Sequence, residues 1–255
     1  MSSYLDKHAE LYDLFYTGKD YKSEAEFIHQ CISRYSVNSK NILELACGTG
    51  NHVHQLKEYS YNILSTDYSK DMLAVAKKKV IADNVRFEWM DMTNFTIEKG
   101  DKFDVILCLF DSIGYVQSNE NIIKVFQNIY DHLSDNGIFI FEFWNGGAFM
   151  KQYEPYRVRR IENEALKIVR ISETEIDYVK QLGKVKYSIY LAEQNKPIEV
   201  IEELQVNRFF FIQEMKALLS QAGLIPMEFY NGYNFSSDID LNSWHTVSVV
   251  KKQLK

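Results

Sequence analysis

Proline, cysteine and glycine are scarce in this chain: its 255 residues hold 3 Pro, 3 Cys and 11 Gly. The cysteines, Cys31, Cys47 and Cys108, are odd in number and have no paired spacing, which speaks against a disulfide framework and for a reducing compartment. No apolar run approaches the roughly 20 residues that a membrane-spanning helix needs. The longest lies around Ile138–Trp144. Met1–His8 carries no apolar run either, so no signal peptide is expected. Positive charge is in deficit. A formal net charge of −6 disfavours a nucleic-acid partner, because phosphate binding needs a basic field. The expectation is a cytoplasmic protein without membrane or nucleic-acid partners. What remains is the balance of an ordinary globular chain, 46% hydrophobic and 25% charged, with no internal repeat and enough length to bury a large core.

With so few glycines and prolines, the pattern between them is easy to follow. Glu24–Arg34 has helical spacing, and Asn41–Ala46 is a short apolar strand running into glycines. A helix over Asn51–Glu58 follows. The alternation continues through a strand at Asn62–Thr66, a helix at Ser69–Val80 with Ser69 as N-cap, and strands at Val85–Trp89 and Phe103–Leu109. A helix at Asn119–Leu133 is stopped by a turn at Ser134–Gly137, before a fifth strand at Ile138–Trp144. This is the signature of a parallel sheet covered on both faces. After Trp144 it breaks. The runs Arg157–Ile161, Leu166–Ile176, Val185–Ala192 and Glu199–Phe211 are β-rich, with polar breaks at Glu162–Glu164, Gln181–Lys184 and Gln194–Pro197. A helix at Ile212–Gln221, stopped by Gly223, precedes two last strands, Leu224–Tyr230 and Trp244–Lys251. The expected fold is α/β, a doubly wound, mostly parallel seven-stranded sheet with an inserted antiparallel sheet. The core takes residues 1–146 and 208–255, with a lid over about 1–23, and the insert takes 147–207.

A glycine loop between a first strand and a helix is the nucleotide position of a doubly wound sheet. The loop Glu44-Leu45-Ala46-Cys47-Gly48-Thr49-Gly50 fails the dinucleotide pattern in both registers, with Val53 or Asn51 where the third glycine is required. No Gly-Lys-Ser/Thr follows, so it is not a P-loop. An acid before the glycines disfavours pyrophosphate and suits a cofactor whose near end is cationic, such as the methionine ammonium of S-adenosylmethionine. Asp67 ends the second strand, where an acid hydrogen-bonds ribose hydroxyls. Asp91-Met92 follows the third strand and suits adenine, an acceptor for its amine beside an apolar neighbour. Three acids at the ends of successive strands carry more weight than any one alone.

Leu43–His52 resembles the first motif of class I S-adenosylmethionine-dependent methyltransferases. Asp67–Leu73 resembles their acidic second motif, and Asp91-Met92 their third. Tyr12–Tyr16, Gly18–Tyr21, Glu24-Ala25 and Phe110–Tyr115 are similar to one branch, the nucleotide-sugar N,N-dimethyltransferases of desosamine and mycaminose type. The resemblance implies S-adenosylmethionine as cofactor, contacted by Tyr12, Tyr21, Glu44, Ala46, Gly48, Thr49 and Gly50. His52, Asp67, Tyr68, Met72, Asp91, Met92 and Leu109 complete that set. It implies an N-terminal lid, Tyr16 and Tyr115 as catalytic residues facing the acceptor, and a homodimer. Asp111 and Trp144 join Tyr16 and Tyr115 on the acceptor side. Where the family has an acid-Pro-Trp segment, this chain has Glu142-Phe143-Trp144-Asn145, which leaves acceptor identity open.

Other residues read differently. The insert carries Arg157, Arg159, Arg160, Lys167 and Arg170, with Arg157 and Arg159 on one face of a strand and Arg160 on the other; this basic cluster suits the diphosphate of a nucleotide sugar, or forms a solvated face. Cys47 reads as a small buried side chain, since nothing near it lowers a thiol pKa. His52 and His54 diverge on a helix, so no metal is expected. His132 complements a helix C-terminus. The sequence offers no His/acid pair near the pocket, which favours an amine over a hydroxyl acceptor, because an unprotonated amine needs no base. Other small-metabolite methylation and non-catalytic cofactor binding stay as alternatives.

Overall fold

The structure is a computed structural model that describes residues 9, 11–95, 97, 102–162, 166–193 and 196–253. Residues 1–8 and 10 of the expected lid lie outside the described residues, as do 163–164 and 194–195 of two expected breaks. Helix α1 (Tyr21–Tyr35) begins at Asp20, whose carboxylate accepts from the Ser23 backbone N–H and hydroxyl. The alternation then runs β1 (Asn41–Leu45), α2 (Asn51–Leu56), β2 (Asn62–Asp67), α3 (Lys70–Lys79), β3 (Val85–Trp89), β4 (Phe103–Cys108), α4 (Asn119–His132) and β5 (Leu133–Trp144). Ser69 and Ser118 cap α3 and α4 through their hydroxyls.

After a short helix α5 (Gly146–Gln152) come β6 (Tyr156–Glu162), β7 (Leu166–Asp177), β8 (Leu182–Glu193) and β9 (Glu199–Arg208). Helix α6 (Ile212–Gln221), β10 (Leu224–Asn231) and β11 (His245–Lys252) close the chain. The large sheet has the order β10-β11-β5-β4-β1-β2-β3. Its five central and outer strands from β5 to β3 are parallel, and β11 runs antiparallel beside β5.

Alternation along the strands divides the core in two. Leu43, Leu45, Ile106, Cys108, Phe139 and Phe141 point to one face and pack with α4 and α6 through Phe126, Ile129, Met215 and Leu218. Ile42, Val105, Leu107, Ile138 and Ile140 point to the other and meet α1 and α2 through Ile28, Cys31, Val53 and Leu56. Every one of these side chains is nearly or fully buried, which is why the strands read as unbroken apolar runs.

The second sheet is an antiparallel meander, β6-β7-β8-β9. Its inner face carries Ile168, Ile189, Leu191 and Ile201, and Phe15 of the helical residues 11–15 seals them.

Four local expectations need correction. Ser134–Gly137 does not end a helix; α4 stops at His132, and these residues bulge out of β5 between the rungs Phe103–Leu133 and Val105–Ile138. The break expected at Gln181–Lys184 falls earlier, at residues 178–181, and Leu182, Gly183 and Lys184 belong to β8. Gly183 is there for packing: a Cβ would come within 2.7 Å of the Phe149 ring and 3.2 Å of Trp144. The short helix α5 and a 3₁₀ turn at Ser112–Val116 lie where the sequence reading had no element. Tyr12 and Tyr21 do not precede the first helix; residues 11–15 are helical, and Tyr21 opens α1.

Candidate functional site

A cavity of about 1140 Å³ opens over the carboxyl ends of the parallel strands. Its place is the crevice where chain order reverses between β1 and β4, the ligand position of open α/β sheets.

The β1 side is built from the glycine loop. Ala46, Gly48 and Gly50 all have positive φ, at 54°, 58° and 78°, so the chain coils tightly out of β1 into α2. The Gly48 N–H donates to Asp67 Oδ2 at 2.8 Å, and the Ser69 N–H donates to Oδ1 at 2.7 Å. Burial raises the Asp67 carboxyl above its ordinary value, against these backbone donors. Glu44 is fully buried and accepts from the Ser65 hydroxyl. Burial pushes its carboxyl up to about 7, with the His52 charge pulling the other way. A buried carboxylate without a full cation partner is costly, and a ligand ammonium beside it offsets that cost. On β3's side, Asp91 Oδ1 accepts from the Thr93 N–H and hydroxyl at 2.8 and 2.7 Å.

Of the expected cofactor residues, Tyr12, Tyr21, Glu44, Ala46, Gly48, Thr49 and His52 line the cavity. So do Asp67, Tyr68, Met72, Asp91, Met92 and Leu109. Gly50 does not. It sits behind the wall, where a Cβ would meet the Ala76 Cβ at 3.1 Å, so its role is close packing of α2 on α3. His52 Nε2 pairs with Glu24 Oε2 at 2.7 Å, and the buried His52 and the partly exposed His54 do not converge. Cys47 is only half-buried by exposure, yet its surroundings raise the thiol well above its ordinary value, so it is no nucleophile. His132 Nδ1 lies 2.8 Å from the Asn128 carbonyl, at the end of its helix.

The N-terminal segment crosses over this loop. Asp13 accepts from Thr49 Oγ1 at 2.6 Å and from Asn51 Nδ2 at 3.0 Å, and pairs with Lys79 at 2.5 Å. Tyr16 packs edge-on against Phe110, centroids 5.1 Å apart, and burial raises its hydroxyl against the pull of Arg170.

The opposite wall comes from β4, β5, β11 and the second sheet. It holds the expected Tyr16, Asp111, Tyr115, Trp144, Arg157 and Arg159. Arg170, a member of the insert's expected basic cluster, lines it too, while sequence reasoning missed Tyr187 and Asn207 there. Arg170 pairs with Arg159 across β6 and β7, so both guanidinium groups share the inner face, with Arg170 4.4 Å from the Phe15 ring centroid and 5.0 Å from that of Tyr187.

The expectation that no His/acid pair stands near the pocket is overturned. His245 Nδ1 lies 3.0 Å from Asp111 Oδ2 and 2.8 Å from Glu142 Oε1. Glu142 Oε2 accepts from the Tyr233 hydroxyl at 2.6 Å and the Phe110 N–H at 2.8 Å. One signal was present in the sequence: Glu142 is a lone acid inside the apolar run of β5, and a buried acid needs partners. The partner itself was not legible, because β11 returns beside β5 from the far end of the chain.

Residues 42–137 match the family model described as a methyltransferase domain. The dTDP-3-amino-3,4,6-trideoxy-alpha-D-glucopyranose N,N-dimethyltransferase of Streptomyces venezuelae is 27% identical over 221 residues, covering 85% of this chain and 90% of that protein. Among solved structures, an S-adenosylmethionine-dependent methyltransferase from Clostridium acetobutylicum is 22% identical, with a TM-score of 0.82 over 96% of this chain and 98% of the other. The sugar N-methyltransferase KedS8 from Streptoalloteichus is 24% identical, with a TM-score of 0.79 over 94% and 93%. Both share the doubly wound sheet and its antiparallel companion. No helix among the described residues is long and apolar enough to cross a membrane.

Proposed function

The chain is an S-adenosylmethionine-dependent methyltransferase, and from that we propose that it methylates the amino group of a nucleotide-linked amino sugar. The observation that carries this reading is one cavity with two unlike walls: an acidic loop side and a basic inner sheet face. Its volume, about 1140 Å³, exceeds the range of roughly 300–1,000 Å³ for a single small ligand, so donor and a large acceptor fit together. The S. venezuelae relative, named for a dTDP-amino sugar, supports the same acceptor class.

In this reading Glu44 faces the cofactor's ammonium, Asp67 its ribose, and Asp91 with Met92 its adenine. Tyr12, Tyr21, Ala46, Gly48, Thr49, His52, Tyr68, Met72 and Leu109 supply the surrounding contacts. S-adenosylmethionine, when bound, supplies a methyl group activated by a positive sulfur. The chain's contribution is alignment and exclusion of water. Tyr16, Tyr115 and Trp144 hold the sugar, while Arg157, Arg159 and Arg170 hold the diphosphate. The core, residues 1–146 and 208–255, binds the donor, and the insert, 147–207, the acceptor. The insert's outer face exposes Val158, Tyr190 and Val200, which suits a homodimer, and substrates of this class suit a cytoplasmic enzyme.

The His245 cluster favours a second reading, a hydroxyl acceptor, since a hydroxyl needs a base. Incubation with S-adenosylmethionine and dTDP-linked sugars bearing either an amino or a hydroxyl group separates the two, with products read by mass spectrometry. Methylated amine is expected; methylation of the hydroxyl sugars alone would reverse the assignment.

A further inference from the structure

Asp111, Glu142 and His245 form a charged cluster that neither donor binding nor diphosphate binding uses. It stands on the β4 and β5 side of the crevice, opposite the glycine loop, where the acceptor must present its nucleophile. Asp111 itself is reached by strained backbone. Phe110 and Asp111 both have left-handed φ, 54° and 58°, a region that non-glycine residues rarely adopt. The Phe110 N–H to Glu142 bond and the Gly114 N–H to Asp111 carbonyl bond, 2.9 Å, hold that turn. Strain retained on the wall of a pocket points to a placed side chain. Asp111 is 4% exposed, and while Oδ2 faces His245, Oδ1 is buried with no hydrogen-bond partner among the described residues.

The groups facing this carboxylate are few. Glu142 comes from β5, His245 from β11, Cys108 from β4, Tyr115 from the 3₁₀ turn and Tyr233 from the segment between β10 and β11, and the Trp144 indole N–H also acts on it. Lys19 acts on it through Glu142, which Tyr233 also holds by its hydroxyl. The two carboxylates hold the His245 imidazolium well above its ordinary value against burial. Burial and Glu142 raise Asp111, and His245 draws it back. Two carboxylates against one imidazolium leave a net negative charge, which wants one more cation.

We propose that Asp111 is a catalytic residue that receives the acceptor amine at Oδ1, and that His245 and Glu142 are positioning residues that hold it there. This rests on the amine-acceptor reading above. An arriving ammonium gives a proton to the cluster or to water and keeps an N–H bonded to Oδ1, which turns its lone pair toward the methyl donor. As the N–C bond forms, the C–S bond breaks and its pair stays on sulfur. The new ammonium then passes a proton to Asp111 and on to solvent, leaving an amine ready for a second transfer.

The test uses the full chain and Asp111→Asn, since Asn keeps the shape and tolerates left-handed φ. Binding of S-adenosylhomocysteine by calorimetry should be unchanged. The amino sugar should bind the wild-type S-adenosylhomocysteine complex at least ten-fold tighter than it binds the same complex of the variant, while the hydroxyl sugar binds both alike. Turnover of the amine should fall about 100-fold, the usual scale of a positioned proton acceptor. The wild-type kcat should fall on acidification at a pH above the ordinary carboxylate range, and that limb should vanish in Asp111→Asn. In His245→Gln the limb should move up by about one pH unit or more, because the opposing charge is gone; this supplies an independent readout should Asp111→Asn not fold. Unchanged amine affinity, turnover and pH limb in a folded Asp111→Asn overturn the proposal and leave the amine reading standing. Wild-type methylation of hydroxyl sugars alone overturns both. Loss of activity in a chelator with recovery on added Mg²⁺ overturns it as well, by making the cluster a metal site.

Discussion

Glu44 is an acid on the cavity wall that is almost wholly shielded from water. Its carboxyl, raised to about 7 by burial, stays protonated in the folded chain at pH values where the unfolded chain has already lost the proton. A raised acid pKa means that stability is full below the unfolded value and is lost as pH rises through the folded one. The loss spans about pH 4 to 7 and is of order 3 kcal/mol. Thermal melting of the ligand-free protein should show this decline, and Glu44→Gln should flatten it while weakening the binding of S-adenosylhomocysteine. A Gln variant that binds as tightly as wild type would remove Glu44 from the ammonium contact. Tyr16 sits across the cavity and is held by packing on Phe110 and by the nearby Arg170. Tyr16→Phe preserves the ring contact and removes the hydroxyl, so it should cut turnover about 10-fold or more with unchanged S-adenosylhomocysteine affinity by calorimetry. Full turnover would make Tyr16 a packing residue.

At the scale of elements, the glycine loop does two separate jobs. Gly48 meets the cavity with open space where a Cβ would stand, whereas Gly50 is pressed against Ala76 and Val53 at 3.1 and 3.3 Å. Gly50→Ala combines left-handed strain with crowding and should cost about 1–3 kcal/mol in a denaturant titration. A neutral result would mean that α2 and α3 yield at that contact. The inner parallel strands β1, β4 and β5 were legible in the sequence because burial on both faces leaves long stretches of them apolar, whereas β3 is mostly exposed. The donor-side acids were legible because each stands at or just past the carboxyl end of a strand. Gly183 misled because a glycine that admits a neighbouring ring is identical in sequence to one that turns the chain. His245 was hidden for a different reason. Its distance to Asp111 depends on the register of β11, which sets His245 opposite Trp144 and Val247 opposite Glu142, and no local pattern encodes a pairing between strands a hundred residues apart.

At the scale of the whole molecule, the two sheets are joined by the 3₁₀ turn after β4, whose flanking residues Asp111 and Gln117 bond to β9, Asn207 and Arg208 included, and also by a short stretch of chain near the N-terminus. Asp13 is fastened to Thr49, Asn51 and Lys79 beside the glycine loop, and Phe15, two positions on, is seated among Ile168, Ile189, Leu191 and Ile201 of the other sheet. A ligand that firms the loop therefore firms the floor on which the other ligand rests. The two occupancies are coupled, and coupling is reciprocal: whatever factor S-adenosylhomocysteine gains for the nucleotide sugar, the sugar must return in equal measure. Calorimetric titrations in both orders should give the same factor, above one, and Asp13→Ala should bring it toward one by cutting the clasp at its loop end. Residues 11–15 then act as a tie rod, so that neither partner of the reaction is held at full strength until both have arrived.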